Sequence, residues 1–419
     1  MQTVLLLATK RLAVWLVLAE LWGAASATFT SDTAIPAGDA TYDTLDLTVV
    51  GCRLTVAGDH VFGRVEVHTH ATFVFAGTNL AVSAMTAIEG AAVELAGGAC
   101  AQVNGPLTVV SNSTVRCLGR NTSAQVDGAW KGMGVRLATQ SVEVDSTSSI
   151  TADGQGYTCP GANQNGNGPG GGRRGWWGGP NASGGGHGGQ GGEGDRYGFA
   201  NPPGMTHGSS TEPADLGSGG GGVDGVGASG GGAIRLEVAE GLTLEGVISA
   251  NGASTGGWAG GGAGGSVWIV TGLLAGNGSL QAHGGEGSGS GSGGGGRIAV
   301  YCATNQFAGL ANCDVRGGTK EPAGEKGTIA FFDTQVPRSH LEVFDRFVLA
   351  ADSRQAFGAI TVAEGGRLVV GNNAVIEVAT SLTVTNASTL TLGGGAHLRV
   401  AQAFDVLDGS TVLIESVNN

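Results

Sequence analysis

The carboxyl-terminal part of the chain contains an apolar repeat with a period of 22 residues, a constraint that few folds satisfy. Ile360, Leu382 and Phe404 occupy equivalent positions in three successive repeats. Apolar and polar residues alternate in short stretches, and Gly, Asn and Asp separate these stretches, as in strands joined by turns. A fixed period near 20 residues is typical of a solenoid in which strand stacks on strand. The sequence therefore predicts an all-β chain folded as a right-handed parallel β-helix, with three strands in each coil of about 20–22 residues.

A looser form of the repeat occupies the rest of the chain. Apolar pairs such as Leu54/Val56 and Phe73/Phe75 recur at about 20 residues between positions 45 and 150. After residue 230, glycine-led strands recur at about 31–33 residues, as GGAIRL, GGSVWI, GGRIAV and KGTIAF. Between them the periodicity disappears into glycine. We divide the chain into five segments: a signal peptide (1–27), amino-terminal coils (28–153), a large glycine-rich insertion (154–230), glycine-loop coils (231–335) and regular 22-residue coils (336–419).

The glycine-rich insertion has two interpretations. Glycine has a high conformational entropy to lose, so a tract of it is ordinarily a flexible linker. The insertion also carries aromatic side chains that are costly to leave in water, and coils of the same solenoid flank it on both sides. Ordered packing of extended, polyproline-II-like glycine segments against the solenoid is the interpretation that we favour, because glycine permits close backbone approach.

The first 27 residues resemble an export signal. Lys10 and Arg11 precede a short apolar run, and Ala25-Ser26-Ala27 is a small-residue cleavage site. No later stretch is long enough for a membrane span in the mature chain. The formal net charge of −13 argues against nucleic acid as a partner. We therefore expect a secreted or cell-surface protein.

Glycosylation and disulfide formation are both expected in an exported chain. The sequence contains Asn-x-Ser/Thr sequons, which are candidate glycosylation sites: Asn112, Asn121, Asn181, Asn277 and Asn386. Six cysteines form an even set with fifteen possible pairings, of which the close pair Cys302 and Cys313 is the favoured disulfide.

The ordered series of motifs from GGGHGGQGG through ADLGSGGGG to GGGAIRLEVAEGLTLEGVISANG resembles a glycine-rich β-helical family of exported proteins. The resemblance covers about residues 130–335. It implies a β-helical fold and an extracellular or cell-surface setting. The family is mostly uncharacterised, so the resemblance implies no reaction.

No set of residues predicts catalysis. Gly186-His187-Gly188 matches the histidine motif of polygalacturonases, but the carboxylate pair that inverting hydrolysis requires has no counterpart in this sequence. A surface or packing role is therefore the favoured one for His187. No cysteine and histidine cluster with metal-ligand spacing occurs, and we expect neither a metal nor a cofactor.

The candidate binding residues lie in the insertion, where aromatic faces suit sugars and arginine suits carboxylates: Arg173, Arg174, Trp176, Trp177, Tyr197 and Phe199. Pinning the insertion to the solenoid is the simpler role for the same aromatic side chains. We expect a non-catalytic structural or adhesive scaffold whose partners are glycans or other surface and matrix proteins. A polysaccharide-active lyase or hydrolase is the alternative. The final coil shows no polar cap, so end-to-end assembly or a longer parent chain is a further expectation.

Overall fold

The computed structural model describes residues 25–415 except 177, 197–198, 257, 321 and 336–337. Two short 3-10 helices, Ala40–Tyr42 and Gly309–Asn312, accompany the strands. In chain order the strands are β1 Ser26–Phe29, β2 Thr33–Ile35, β3 Asp46–Val50, β4 Arg53–Val56, β5 His60–Val61, β6 Arg64–His68, β7 Thr72–Phe75, β8 Asn79–Val82, β9 Ala84–Ala87, β10 Ala92–Leu95, β11 Cys100–Val109, β12 Thr114–Cys117, β13 Val135–Val144, β14 Ser149–Thr151, β15 Gly194–Arg196, β16 Phe199–Asn201, β17 Ala233–Leu244, β18 Val247–Ser249, β19 Ser266–Gly276, β20 Ser279–Gln281, β21 Arg297–Phe307, β22 Thr328–Asp333, β23 His340–Val343, β24 Arg346–Leu349, β25 Arg354–Phe357, β26 Ala359–Val362, β27 Arg367–Val370, β28 Val375–Val378, β29 Ser381–Val384, β30 Thr389–Leu392, β31 His397–Val400, β32 Ala403–Val406 and β33 Thr411–Ile414.

The chain is all-β, and its sheets are long and mainly parallel. One sheet runs the length of the described residues, in the order β1-β3-β6-β9-β11-β13-β17-β19-β21-β22-β23-β26-β29-β32. A second sheet follows the first half, in the order β2-β4-β7-β10-β12-β14-β18-β20. In the second half its place is taken by β24-β27-β30-β33 and β25-β28-β31. The order shows that successive passes of the chain stack on one another.

Side-chain alternation explains why these short segments form strands. In β4, Leu54 and Val56 are fully buried while their neighbours face outward. The next coil places Phe73 on Leu54 and Phe75 on Val56, so that each inward side chain packs on another. Burying a side chain of this size contributes about 1.5–3 kcal/mol. Glu364 and Gly365 both have positive φ, a conformation that tight turns between strands use.

The predicted 22-residue ladders are confirmed. Leu382 pairs with Ile360 before it and with Phe404 after it. The same 22-residue spacing pairs Leu368 with Leu390 in a neighbouring sheet and Ile376 with Leu398 in a third. Each pass in this part of the chain contributes one strand to each of three sheets, as the repeat predicts.

The hydrophobic core changes sides between β22 and β23, which sequence analysis did not indicate. These two strands pair antiparallel, whereas their neighbours in the sheet pair parallel. Upstream, Ile329 and Phe331 of β22 belong to one core. Ala330 and Phe332 of the same strand belong to the core of the carboxyl-terminal coils. The long sheet therefore has a core on each of its faces at this point.

The insertion is ordered throughout the residues that the structure describes, as the favoured interpretation predicted. It packs with the glycine loops of later coils, and together they form the glycine-rich unit (residues 154–230, 252–265, 284–296 and 316–327). Gly185 donates its N–H to the carbonyl of Gly261 at 3.0 Å and accepts from the N–H of Gly294 at 2.9 Å. Neither Gly184 nor Gly185 has positive φ. The unit is held by hydrogen bonds between backbones of different coils.

The two ends of the described chain differ. At the amino-terminal end Phe29 is buried and its ring lies 5.3 Å from that of Tyr42. The predicted signal peptide ends at Ala27, but Ser26 and Ala27 are the first residues of β1, so cleavage there would shorten this strand. At the other end, in the last coil, Val412 is partly buried against the core and Ile414 is 78% exposed. None of the helices in the described ranges is long and apolar enough to cross a bilayer.

Candidate functional site

A cleft on the outer face of the long sheet brings together charged and aromatic side chains that sequence analysis did not single out. Cross-strand pairing places Arg136 of β13 beside Arg235 of β17, and Arg235 beside Trp268 of β19. Leu236 is buried in the core, so Arg235 and Glu237 on either side of it face outward. Strand alternation therefore presents two arginines, a glutamate and a tryptophan on one surface.

Glu237 supplies the counter-charge for both arginines. Its carboxylate accepts hydrogen bonds from Nε of Arg136, at 3.1 Å, and from Nη2 of the same side chain. Its Oε1 lies 2.6 Å from Nε of Arg235. Like charges on paired strands repel each other, and Glu237 offsets this repulsion. The hydrogen bonds from Arg136 lower the pKa of Glu237 and raise the pKa of Arg136, so this pair is ionised at neutral pH.

The guanidinium of Arg235 is held from two sides. Its Cζ lies 4.0 Å from the ring centroid of Trp268, which is a cation–π contact. Its Nε is paired with the carboxylate of Glu237 at 2.6 Å. The side chain is nevertheless 41% exposed, so the outer end of the guanidinium faces the surface.

The cleft has a volume of about 440 Å³ and lies where different parts of the chain meet. Pro213 and Ala214 of the insertion form one wall, and Met133, which is 45% exposed, lies at the rim. Trp268 packs against the core of the carboxyl-terminal coils. Cys100 occupies the rung before Arg136, and Nη1 of Arg136 lies 3.4 Å from its Sγ.

The predicted binding residues lie elsewhere, on the glycine-rich unit. Arg173 and Arg174 are exposed, and Trp176 is 51% exposed. Trp177 and Tyr197 lie outside the described residues. Phe199 belongs to β16, whose backbone pairs antiparallel with Arg196 of β15.

A second exposed tryptophan, which sequence analysis missed, lies on a neighbouring loop. Trp258 is 49% exposed, and its ring lies against Gly289, where a Cβ would be 2.8 Å from it. The amide Nδ2 of Asn181 donates a hydrogen bond to the carbonyl of Gly289, and Trp176 lies against Gly179 in the turn before Asn181. We call Trp176, Asn181, Trp258 and Gly289 the tryptophan tip. The hydrogen bond from Asn181 to Gly289 links the two loops that carry these exposed indoles.

The sequons differ in accessibility. Asn112, Asn277 and Asn386 are exposed, and Asn121 is partly exposed with its Nδ2 bonded to the carbonyl of Lys131. Asn181 is 7% exposed, and its Nδ2 also donates to the carbonyl of Asp195. In a glycosylated sequon the glycan is attached to the Nδ2 nitrogen of the asparagine. Glycosylation at Asn181 would require these hydrogen bonds to open, whereas the other four sequons are at least partly exposed.

The predicted disulfide is not formed, and all six cysteines are free thiols. Cys302 pairs with Thr271 in the long sheet. Cys313 precedes Asp314, whose N–H bonds to Leu280 in the second sheet. The ten residues between the two cysteines thus lead from the long sheet to the second sheet. Burial raises the pKa of each thiol to about 11.

His187 is in the interior of the glycine-rich unit, where it pairs with His207. The two ring centroids are 4.7 Å apart. Nδ1 of His187 bonds to the carbonyl of Gly264 at 2.9 Å, and Nε2 of His207 bonds to the carbonyl of Leu216 at 3.2 Å. Burial lowers the pKa of both rings, that of His187 most strongly. Both imidazoles are therefore neutral, which fits the predicted packing role.

Metal-ligating side chains are not clustered: within the described ranges no three His, Cys, Asp or Glu residues are placed to hold a metal ion. Comparison with family models, with curated proteins and with solved structures finds no match for this chain.

Proposed function

We propose that the chain is an exported, right-handed parallel β-helix that acts as a non-catalytic surface or matrix scaffold and binds glycans through its tryptophan tip. Export rests on the sequence features of residues 1–27. The scaffold role rests on the parallel register of successive coils, in which each pass buries its apolar side chains against the next.

Two arguments support the right-handed form. Crossovers between parallel strands of one sheet are right-handed in nearly all proteins. In addition, the chain reverses its strand direction between β22 and β23, and the core moves to the other face of the sheet at the same point. These two changes together equal a half-turn of the carboxyl-terminal coils about the axis along which the strands stack. A rotation preserves handedness, so both parts of the chain can have the same hand.

The exposure of Trp176 and Trp258 is the observation that carries the binding proposal. Tryptophan is highly buried on average in soluble proteins, and each of these two is about half exposed. The glycine-rich unit holds them on a backbone fixed by hydrogen bonds, so little ordering entropy is lost on binding. A flat indole face with exposed arginines nearby in sequence suits a sugar ring.

The cleft supports a non-catalytic role. Glu237 is ionised between two guanidinium groups, so it is not a proton donor at neutral pH. Arginine does not give up its proton in proteins and is not a base. General acid–base catalysis requires one group of each kind.

A glycan array with the secreted full-length chain tests the proposal. We expect binding that Trp176→Ala weakens by about tenfold, equivalent to about 1.4 kcal/mol. Met205→Ala is the matched control, because Met205 is an exposed apolar residue of the same unit, at 56%. Equal binding by both variants would remove the tip from the site. Cleavage of an acidic polysaccharide by the wild-type chain would replace the scaffold proposal with the enzymatic alternative.

A further inference from the structure

We propose that the cleft lined by Arg136 and Arg235, whose side chains are held by Glu237 and Trp268, binds the carboxylate of an acidic saccharide. This site is separate from the tryptophan tip, and it adds selectivity for charge to a scaffold that would otherwise recognise sugar rings alone. The two sites share no residue, so one can fail without the other.

The chemistry of the cleft calls for a ligand rich in acceptors. Arg136 and Arg235 both line it, and their side chains are 46% and 41% exposed. Guanidinium groups donate only, so the exposed ends of these two side chains suit a molecule that supplies acceptor oxygens. Carboxylate oxygens are strong acceptors, and guanidinium groups bind them in a two-point geometry.

The local charge favours a singly charged anion. Arg136, Arg235 and Glu237 together carry one net positive charge, on a chain whose net charge is −13. One carboxylate neutralises that charge. A phosphate monoester carries about −1.5 to −2 at neutral pH and would leave an excess of negative charge beside Glu237. The arrangement therefore suits a carboxylate better than a phosphate.

Arg235 is positioned before any ligand arrives. Trp268 lies under its guanidinium at 4.0 Å, and Glu237 lies beside its Nε, so the long side chain has already lost much of its freedom. Preorganisation of this kind reduces the entropic cost of binding. The side chain remains 41% exposed, so the guanidinium is accessible from the cleft.

The walls indicate a saccharide rather than a free carboxylate ion. Met133, Pro213 and Ala214 give the cleft apolar surface next to its charged floor. A concave site of about 440 Å³ with apolar walls and a few converging polar groups is typical of small organic ligands. The carbon faces of a sugar ring match such walls, while its carboxylate reaches the arginines.

Calorimetric titration of the full chain with a galacturonate hexamer tests this proposal. A neutral xylose hexamer and a sulfated carrageenan hexasaccharide, which has no carboxylate, are the comparison probes. We expect the galacturonate hexamer to bind at least tenfold more tightly than either. Arg235→Gln and Arg235→Lys should each weaken binding by tenfold or more, because the first removes the charge and the second removes the planar fork.

Thermal unfolding of each variant checks that it is folded, and Arg235→Lys is the variant to use if Arg235→Gln is not. Trp176→Ala, which alters only the tip, should leave galacturonate affinity unchanged. The proposal is overturned if wild type does not bind the galacturonate hexamer, if the neutral hexamer binds equally well, or if a folded Arg235 variant keeps full affinity. Loss of galacturonate binding in Trp176→Ala alone would place the carboxylate at the tip and also contradict the cleft.

Discussion

Gly184 and Ser292 lie in contact through their backbones, so close that a Cβ on Gly184 would be 1.8 Å from the carbonyl oxygen of Ser292. The two residues come from the insertion and from a glycine loop more than a hundred positions later in the chain. Their contact shows why the insertion must be glycine at this position. Backbone atoms on neighbouring segments occupy the space that a side chain would need.

Gly184→Ala is therefore expected to destabilise the protein by roughly 3 kcal/mol, because a rigid backbone cannot move away from the added methyl group. Gly256→Ala is the matched control. Gly256 also lies in the glycine-rich unit, but its added Cβ would meet nothing within 4 Å. Chemical denaturation measures both free energies of unfolding. Equal values for the two variants would mean that the segments are not packed as described.

Acidification should destabilise the glycine-rich unit through His187 and His207. Burial lowers the pKa of both rings below the unfolded value of 6.5, and Arg297 lowers them further, while Asp215 acts in the opposite direction on His207. Below pH 6.5 the unfolded chain binds protons that the folded chain excludes, so stability is complete above pH 6.5 and falls as the pH drops. Each ring contributes up to about 1.4 kcal/mol per pH unit.

The free energy of unfolding should therefore be roughly 2 kcal/mol lower at pH 5.5 than at pH 7.5. Glu237 has a lowered pKa and stays ionised over this range, so it does not contribute. His187→Gln should reduce the decrease by about half, whereas the exposed His397→Gln should leave it unchanged. If the free energy of unfolding decreases equally in wild type, His187→Gln and His397→Gln, other groups are responsible for the pH dependence.

Phe332 packs between the glycine-loop coils and the carboxyl-terminal coils. Its ring stacks on Tyr301 with centroids 4.3 Å apart and contacts Phe347 and Phe357 of the carboxyl-terminal coils. Phe332→Ala should cost about 3–5 kcal/mol and separate the unfolding of the carboxyl-terminal coils from the rest. Calorimetry and limited proteolysis detect a separate transition. Phe404→Ala is the control: Phe404 is 45% exposed, so this change should lower the free energy of unfolding by under about 1 kcal/mol. If Phe332→Ala unfolds in a single transition at the wild-type temperature, the two parts do not share a core at Phe332.

The free thiols predict a simple labelling result. Without reductant, all six cysteines should be alkylated after denaturation and give the full mass increase in the intact protein. In the folded protein Cys302 should react slowly, because it is 3% exposed and burial raises its pKa to about 11. An intact mass that is lower than expected by two alkyl groups would show that a disulfide is present.

The repeat was predictable because each rung of the ladder is a side chain. Ile360, Leu382 and Phe404 show their register in the sequence, since burial selects apolar residues at every second position. The glycine-rich unit has no side-chain pattern that shows its register. Its pairings are backbone hydrogen bonds between distant residues, such as Gly185 and Gly261, and glycine shows nothing of which partner it meets.

Two features could have been found in the sequence. β22 reads Thr-Ile-Ala-Phe-Phe, and a strand that is apolar on both sides indicates burial on both faces. The change of core therefore has a signal. Aligning GGAIRL with GGSVWI also places Arg235 beside Trp268, which is the pairing observed. The pairing of Glu237 with both arginines is not visible in an alignment, because it depends on side-chain positions in the folded chain.

Amide hydrogen exchange in the segment around Gly184, Gly185 and Gly188 tests the central claim most directly, since both proposed sites depend on an ordered glycine-rich unit. Gly184 donates its N–H to Gly192 within the insertion, whereas Gly185 and Gly188 donate to Gly261 and Gly295 in later loops, all at 2.9–3.0 Å. The account predicts protection approaching that of the β-strand amides, with opening free energies near that of global unfolding. Exchange at the rate of an unstructured glycine tract would contradict it.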